Sequence, residues 1–203
     1  MKKSKAETAE TRKRIVEVAA KAFRRQGIDG TGVAEIMAAA GLTHGGFYRH
    51  FSSKEQLVTE AMSASAKNLL LDSNVAAEQG AQALMDVFQD YVTQDYRDAR
   101  EDGCPLAANG SELARADETT RHNATDSFRK IVANIAPYLR VHEGEDGTDT
   151  ALSLLTNMVG ALTIARIVDD PALSDRILAT TRRRIARLID VDVPLQQKEA
   201  DPA

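Results

Sequence analysis

The sequence predicts an all-α protein, with a small N-terminal head of three helices including a helix-turn-helix, carried on a larger helical-bundle body, about nine helices in all. Three observations predict it. Apolar residues recur at spacings of three and four rather than two, the Val, Ile and aromatic runs of strands are missing, and glycines fall where helical patterns break. With 203 residues, 43% hydrophobic and 28% charged, the chain can bury one or two cores, which excludes disorder throughout.

The first helix is predicted over residues 8–26, with Ile15, Ala19, Ala22 and Phe23 on one face and Gly27 where a left-handed C-terminal residue is wanted. Residues 1–7 read as a mobile basic tail. Short helices follow over 33–39 and 43–50, separated by Gly41. A longer helix opens at Ser53, which has capping-box spacing to Gln56, and runs to a break at Gly80. An amphipathic segment then carries Leu84, Val87, Phe88 and Tyr91 and ends in the polar stretch 98–103. After Pro105 come a short helix, a long one over 116–139 interrupted late by Pro137, and an acidic glycine-containing loop over 143–149. Helices over 150–168 and 173–189 complete the bundle, and the tail after Pro194 reads as disordered.

Composition narrows the function. No stretch approaches the roughly 18 to 20 uninterrupted apolar residues of a spanning helix, and the polar first residues lack a signal peptide's apolar run. A membrane protein is excluded on this reading and a cytoplasmic location fits best. Cys104 is the single cysteine, so no internal disulfide can form, and no Cys/His cluster has metal-ligand spacing; neither a metal nor a cofactor is expected. Net charge is −4, but residues 1–60 carry +4 and the remainder −8. A basic head on an acidic body suits a polyanion bound at one end only.

The segment 32–51, GVAEIMAAAGLTHGGFYRHF, has the form of a helix-turn-helix. Val33, Ile36, Met37, Leu42, Phe47 and Phe51 can fix it against the first helix. Gly41 can take positive φ at the turn, and the Thr43 hydroxyl can cap the second short helix. Gly45 and Gly46 each cost that helix about 1 kcal/mol relative to alanine, so it should order fully only on binding its partner.

These residues resemble the TetR (tetracycline-repressor-like) family of bacterial transcriptional regulators. The likeness is dense over residues 11–62, through the TR-x-x-I opening, Val33-x-Glu-Ile, AAGLT, Phe47-Tyr48-x-His50-Phe51 and Ser53-Lys54-Glu55; GCPLAANGSELAR (103–115) and DPALSDRIL (170–178) look like a subgroup of it. The resemblance implies that His44 and Gly45 meet base edges in the major groove, that Tyr48, His50 and Lys54 bind phosphates, and that Thr43 serves as cap and contact. Where the family has a Ser or Thr phosphate ligand, this chain has Gly32, leaving its backbone amide and Thr31 for that task, with Glu35 at capping-box distance. Gly46 stands where a larger residue is usual, so a side-chain contact is lost.

The resemblance divides the chain into a DNA-binding domain (1–60), an effector-binding and dimerisation domain (61–193) and the tail (194–203). One short helix reads few bases, so a homodimer on near-palindromic double-stranded DNA is expected, with half-sites about one turn apart. Its interface is expected on the last two helices, at Leu152, Leu155, Val159, Leu162, Ile177, Ile185 and Leu188, although intrachain core would explain such residues equally well. Phe88, Tyr91, Tyr96, Cys104, Asn157 and Met158 are candidates to line a pocket for a small-molecule effector, with Arg166 as an anion partner. Cys104 at a helix start could sense an oxidant or electrophile, helped by Arg100 or Arg115; the alternative is an inert buried thiol.

The expected function is thus a transcriptional repressor released by its effector, or an activator if the sign is reversed. No Ser/His/Asp, Cys/His or paired-carboxylate arrangement at a telling spacing suggests an enzyme. A helical small-molecule carrier would keep the pocket and dispense with Tyr48 and Lys54.

Overall fold

Ile15, Ala19 and Phe23 lie on one stripe of the first helix, and burying that stripe organises the N-terminal third of the molecule. The computed structural model describes residues 5–139 and 146–188, with the backbone alone for 67–78 and 81. Helix α1 spans Lys5–Gln26, starting within what reads as a basic tail; residues 1–4 lie outside the described residues. It ends at Gly27, φ +84°, whose amide donates to the Phe23 carbonyl at 2.9 Å. Helix α2 (Val33–Ala39), a 3₁₀ turn (His44–Arg49) and α3 (Lys54–Gln79) follow. Gly41 takes φ +70°, the left-handed conformation that turns the chain between α2 and the 3₁₀ turn.

Ile15, Phe23, Ile36, Met37, Phe47, Phe51 and Leu57 form the head core, with Leu113 reaching in from the body. At the start of α3, Gln56 N donates to Ser53 Oγ (3.3 Å), while the side-chain Oε1 of Gln56 accepts from Ser52 N (2.8 Å). The reciprocal half of the capping box therefore closes one residue earlier than the spacing predicts.

Gly80, φ +107°, separates α3 from α4 (Ala81–Tyr91). The next segment differs from expectation. Helix α4 stops at Tyr91, and Thr93, accepting from Tyr96 N at 3.1 Å, caps a further short helix, α5 (Gln94–Asp98). Helix α6 is Pro105–Leu113, with proline at its first position. Helix α7 (Glu118–Ile135) is capped by Asp117 and gives way to a second 3₁₀ turn, Ala136–Tyr138, at Pro137. Asp146, inside the stretch read as loop, accepts from Thr148 N and Asp149 N, so α8 (Gly147–Ile167) begins three residues early. Helix α9 is Pro171–Leu188; residues 140–145 and the tail from 189 lie outside the described residues.

The nine α-helices and two 3₁₀ turns among the described residues include no strand. A second core gathers Leu84, Phe88, Ile131, Ile135, Leu154, Met158, Leu162, Leu178 and Ile185, and Leu106 packs against both cores. Helix α8 is long and apolar enough to cross a membrane, with mean hydropathy 1.4. Its buried face is instead filled by protein: Leu154, Met158 and Leu162 pack into the body core, as in the central helix of a bundle.

Candidate nucleic-acid interface

The helix-turn-helix presents an edge because its back is locked. Phe47 and Phe51, 1% and 2% exposed, stack with centroids 5.5 Å apart and 25° between planes, and the Arg12 guanidinium sits 4.2 Å from the Phe51 ring while pairing with Glu60. With those rings inside, Tyr48 is turned out, 72% exposed, edge-on to Phe47 at 5.2 Å. His44, Gly45 and Arg49 are exposed beside it, and a cleft of about 350 Å³ opens between Thr8 of α1 and Thr43, Gly46, Arg49 and His50. Exposed imidazole, phenol and guanidinium donors on one edge are the groups that bond base edges and phosphate oxygens. Arg49, which the motif reading passed over, is a basic side chain on this edge; its signal was its charge within a run of phosphate-binding residue types.

The recognition element is a 3₁₀ turn and not an α-helix. Gly46 N bonds Thr43 O at 3.0 Å and His50 N bonds Phe47 O at 2.8 Å, both i to i+3. Two adjacent glycines remove the side-chain bias toward α geometry. Thr43 holds the N-cap position in extended conformation, yet its hydroxyl makes no capping bond, so the expected cap is absent and the hydroxyl is exposed.

Three other expectations are relocated. Thr31 is fully buried, its hydroxyl donating to Gly27 O at 2.6 Å; it braces the α1–α2 turn and does not face solvent. Lys54 Nζ donates to Ile28 O at 2.7 Å, tying α3 to the same turn. Glu35 accepts from Gln26 Nε2 at 2.8 Å, with Arg25 at 3.8 Å, and not from Gly32, which lies exposed.

The expected pocket residues divide. Phe88, Tyr91, Cys104 and Met158 line an apolar cavity between α4, α6, α7 and α8, but its volume is only about 30 Å³, close to that of one water molecule. Tyr91, Tyr96 and Cys104 also line a larger cleft facing α1. Asn157 is exposed, its side-chain amide donating to Ser153 O at 2.7 Å, because it lies on the outer face of α8; it borders neither space. Cys104 is buried at the N-cap of α6, and Arg24 shares the larger cleft with it.

On the last two helices, Leu155, Leu162 and Ile185 are buried in the protomer's own core, which fills their side of α8 and α9. Val159, Ile177 and Leu188 are half-buried. The apolar side chains left outside are Leu152, Ile164, Ile167 and Leu173, a row that sequence periodicity could not separate from core because α8 is apolar all round.

The pattern described as bacterial regulatory proteins, tetR family, matches residues 15–61, the segment holding the helix-turn-helix. Over that segment the chain is similar to the tetR family. The HTH-type transcriptional regulator AcrR of Shigella flexneri is 41% identical over 68 residues, 34% of this chain and 32% of AcrR. The chain thus matches about a third of that curated relative's length. Whole-chain likeness comes from solved structures. A TetR transcriptional regulator from Chloroflexus aurantiacus J-10-FL is 27% identical with TM-score 0.67, covering 90% of this chain and 98% of that one. Reduced E. coli NemR, 17% identical with TM-score 0.77, covers 91% and 100% and speaks to the fold.

Proposed function

We propose that this chain is a tetR-type transcriptional regulator that binds double-stranded DNA through the edge formed by His44, Gly45, Tyr48 and Arg49, with Thr43 and His50 flanking the cleft beside it. The observation that carries the reading is the outward Tyr48 over the buried Phe47 and Phe51 pair: the core holds a row of polar side chains outside, where they can meet base edges and phosphates. The Gly32 amide adds a backbone donor at the start of α2.

A dimer supplies the second reading head. The exposed row Leu152, Ile164 and Ile167 on α8, with Leu173 on α9, supports pairing of these helices across a two-fold axis, and Gly160 between them leaves open space for close approach. The protein works in the cytoplasm on the nucleoid as a repressor, released by a small molecule that favours a head spacing unable to bind the operator.

Selection of bound sequences from random duplex DNA tests this reading. Enrichment of a near-palindrome, with preference at particular bases relaxed by His44→Ala, is the expected result; loss of about 1–3 kcal/mol at those bases follows from one base contact. Recovery of unselected sequence would remove the reading.

A further inference from the structure

The cleft facing α1 has a volume of about 370 Å³, within the range of small-molecule sites, about 300–1,000 Å³. It lies between head and body: Ala20 and Arg24 of α1, Ser65 of α3, Tyr91 of α4, and the turn from Asp102 to Pro105 form its walls. Exposed Glu17, Lys21, Asp90 and Asp102 stand at the mouth, whereas Ala20, Ser65, Tyr91, Gly103 and Cys104 make a buried floor.

At that floor the Tyr91 hydroxyl is buried and has no hydrogen-bond partner among the described residues. The Cys104 thiol beside it is only a weak one. The Tyr91 and Tyr96 rings lie 4.8 Å apart at 32°, giving the cleft an aromatic side. Of two half-buried guanidinium groups nearby, Arg24 lines the cleft and Arg166 lies behind Gly103 of its wall. Arg24 donates to the Glu101 carbonyl and the Ser65 hydroxyl; Arg166 donates to the Arg97 and Tyr96 carbonyls at 3.0 and 3.2 Å. Their hydrogen bonds thus go to neutral oxygens. Glu101 and Asp102, which act on Arg24 at longer range, pair with Arg25 (2.9 Å) and Lys21 (3.0 Å). Burial works against both arginine charges, and both act on Tyr96 and Cys104. A buried hydroxyl with only a weak thiol beside it, an aromatic wall, and two cations whose hydrogen bonds among the described residues go to neutral oxygens are complementary to one chemistry.

We propose that this cleft binds a small aromatic anion, a carboxylate or phenolate whose charged oxygen accepts from Tyr91 Oη in the field of Arg24 and Arg166, with its ring against Tyr96. The site is distinct from the nearly filled cavity inside the body, and α1 of the head is one of its walls. Any effect of the ligand on DNA rests on the reading proposed above; the binding does not.

The test is calorimetric titration of the full chain, without DNA, using 2-naphthoate and its neutral counterpart 2-naphthamide near neutral pH. The acid should saturate one site and bind about tenfold or more tighter than the amide. Tyr91→Phe, which keeps the ring, should weaken the acid by about fivefold or more, and Ala64→Leu, which fills the cleft from α3, should abolish saturation. Equal affinity for acid and amide, no saturable binding of the acid at millimolar concentration, or unchanged affinity in Tyr91→Phe would overturn the proposal. Since DNA is absent, failure here leaves the DNA-binding reading standing, and failure of DNA binding leaves the titration interpretable.

Discussion

Asn109 of α6 donates from Nδ2 to the carbonyl of Phe23, the last buried aromatic of α1, at 2.8 Å, so the body reaches directly into the C-terminal turn of the head's first helix. The same amide reaches Glu112 at 3.1 Å, and Glu112 in turn accepts from Asp29 N at 2.9 Å. One turn of α6 therefore holds both the end of α1 and the start of the loop leading to α2. Asn109 is fully buried, and truncation leaves polar groups without partners. Asn109→Ala is expected to cost about 1–3 kcal/mol, read as a lower midpoint in denaturant with the helix content unchanged.

Glu112 makes the same joint sensitive to acid. Burial raises its pKa and is the largest single influence, but the amides of Asp29 and Ile28, then Asn109 and Arg115, together outweigh it and hold the carboxyl below its ordinary 4.5. A carboxyl depressed in the folded state contributes stability that is fully present above the unfolded value and is lost as pH falls through the folded one. Glu112→Gln should therefore lower the melting temperature at neutral pH, and the gap from the parent should close below pH 4.5. A gap that persists undiminished in acid would remove this role.

The 3₁₀ recognition turn should be the least protected part of the head. Amide exchange over 44–49 is expected to be faster than in α1 and α2 in the free protein and to slow on DNA. Gly45 has nothing within 4 Å of where a Cβ would stand, so Gly45→Ala should stabilise the element by about 0.4–1 kcal/mol through the unfolded chain alone. Protection equal to that of the flanking helices would contradict this.

Lys54 and Arg49 should behave oppositely. Lys54 is anchored to the Ile28 carbonyl, so Lys54→Met is expected to lower head stability, read as a lower melting temperature. Arg49 is exposed on the reading edge, so its removal should leave stability unchanged.

Most of the architecture was legible in the sequence, because helical periodicity and three glycines with positive φ, Gly27, Gly41 and Gly80, mark where elements end. Capping was less so: Asp146 starts a helix inside a stretch whose composition reads as loop, and Thr93 starts one inside a segment that reads as a single amphipathic element. The site was legible in residue type and not in orientation. Tyr48 and Thr31 sit in equally suggestive strings, yet one is outside and the other inside, since only the packing of Phe47 and the turn at Gly27 decide which way each points. The apolar residues of α8 could not be divided between core and outer face for the same reason.

The reading edge is tested most directly by measuring the affinity of the parent chain and of Arg49→Ala for one selected duplex over a series of salt concentrations. The account predicts affinity that falls steeply with salt in the parent, and in the variant a uniform weakening with the slope of log affinity against log salt reduced by about 1. A parent affinity indifferent to salt, or a variant with the parent's slope, would contradict it.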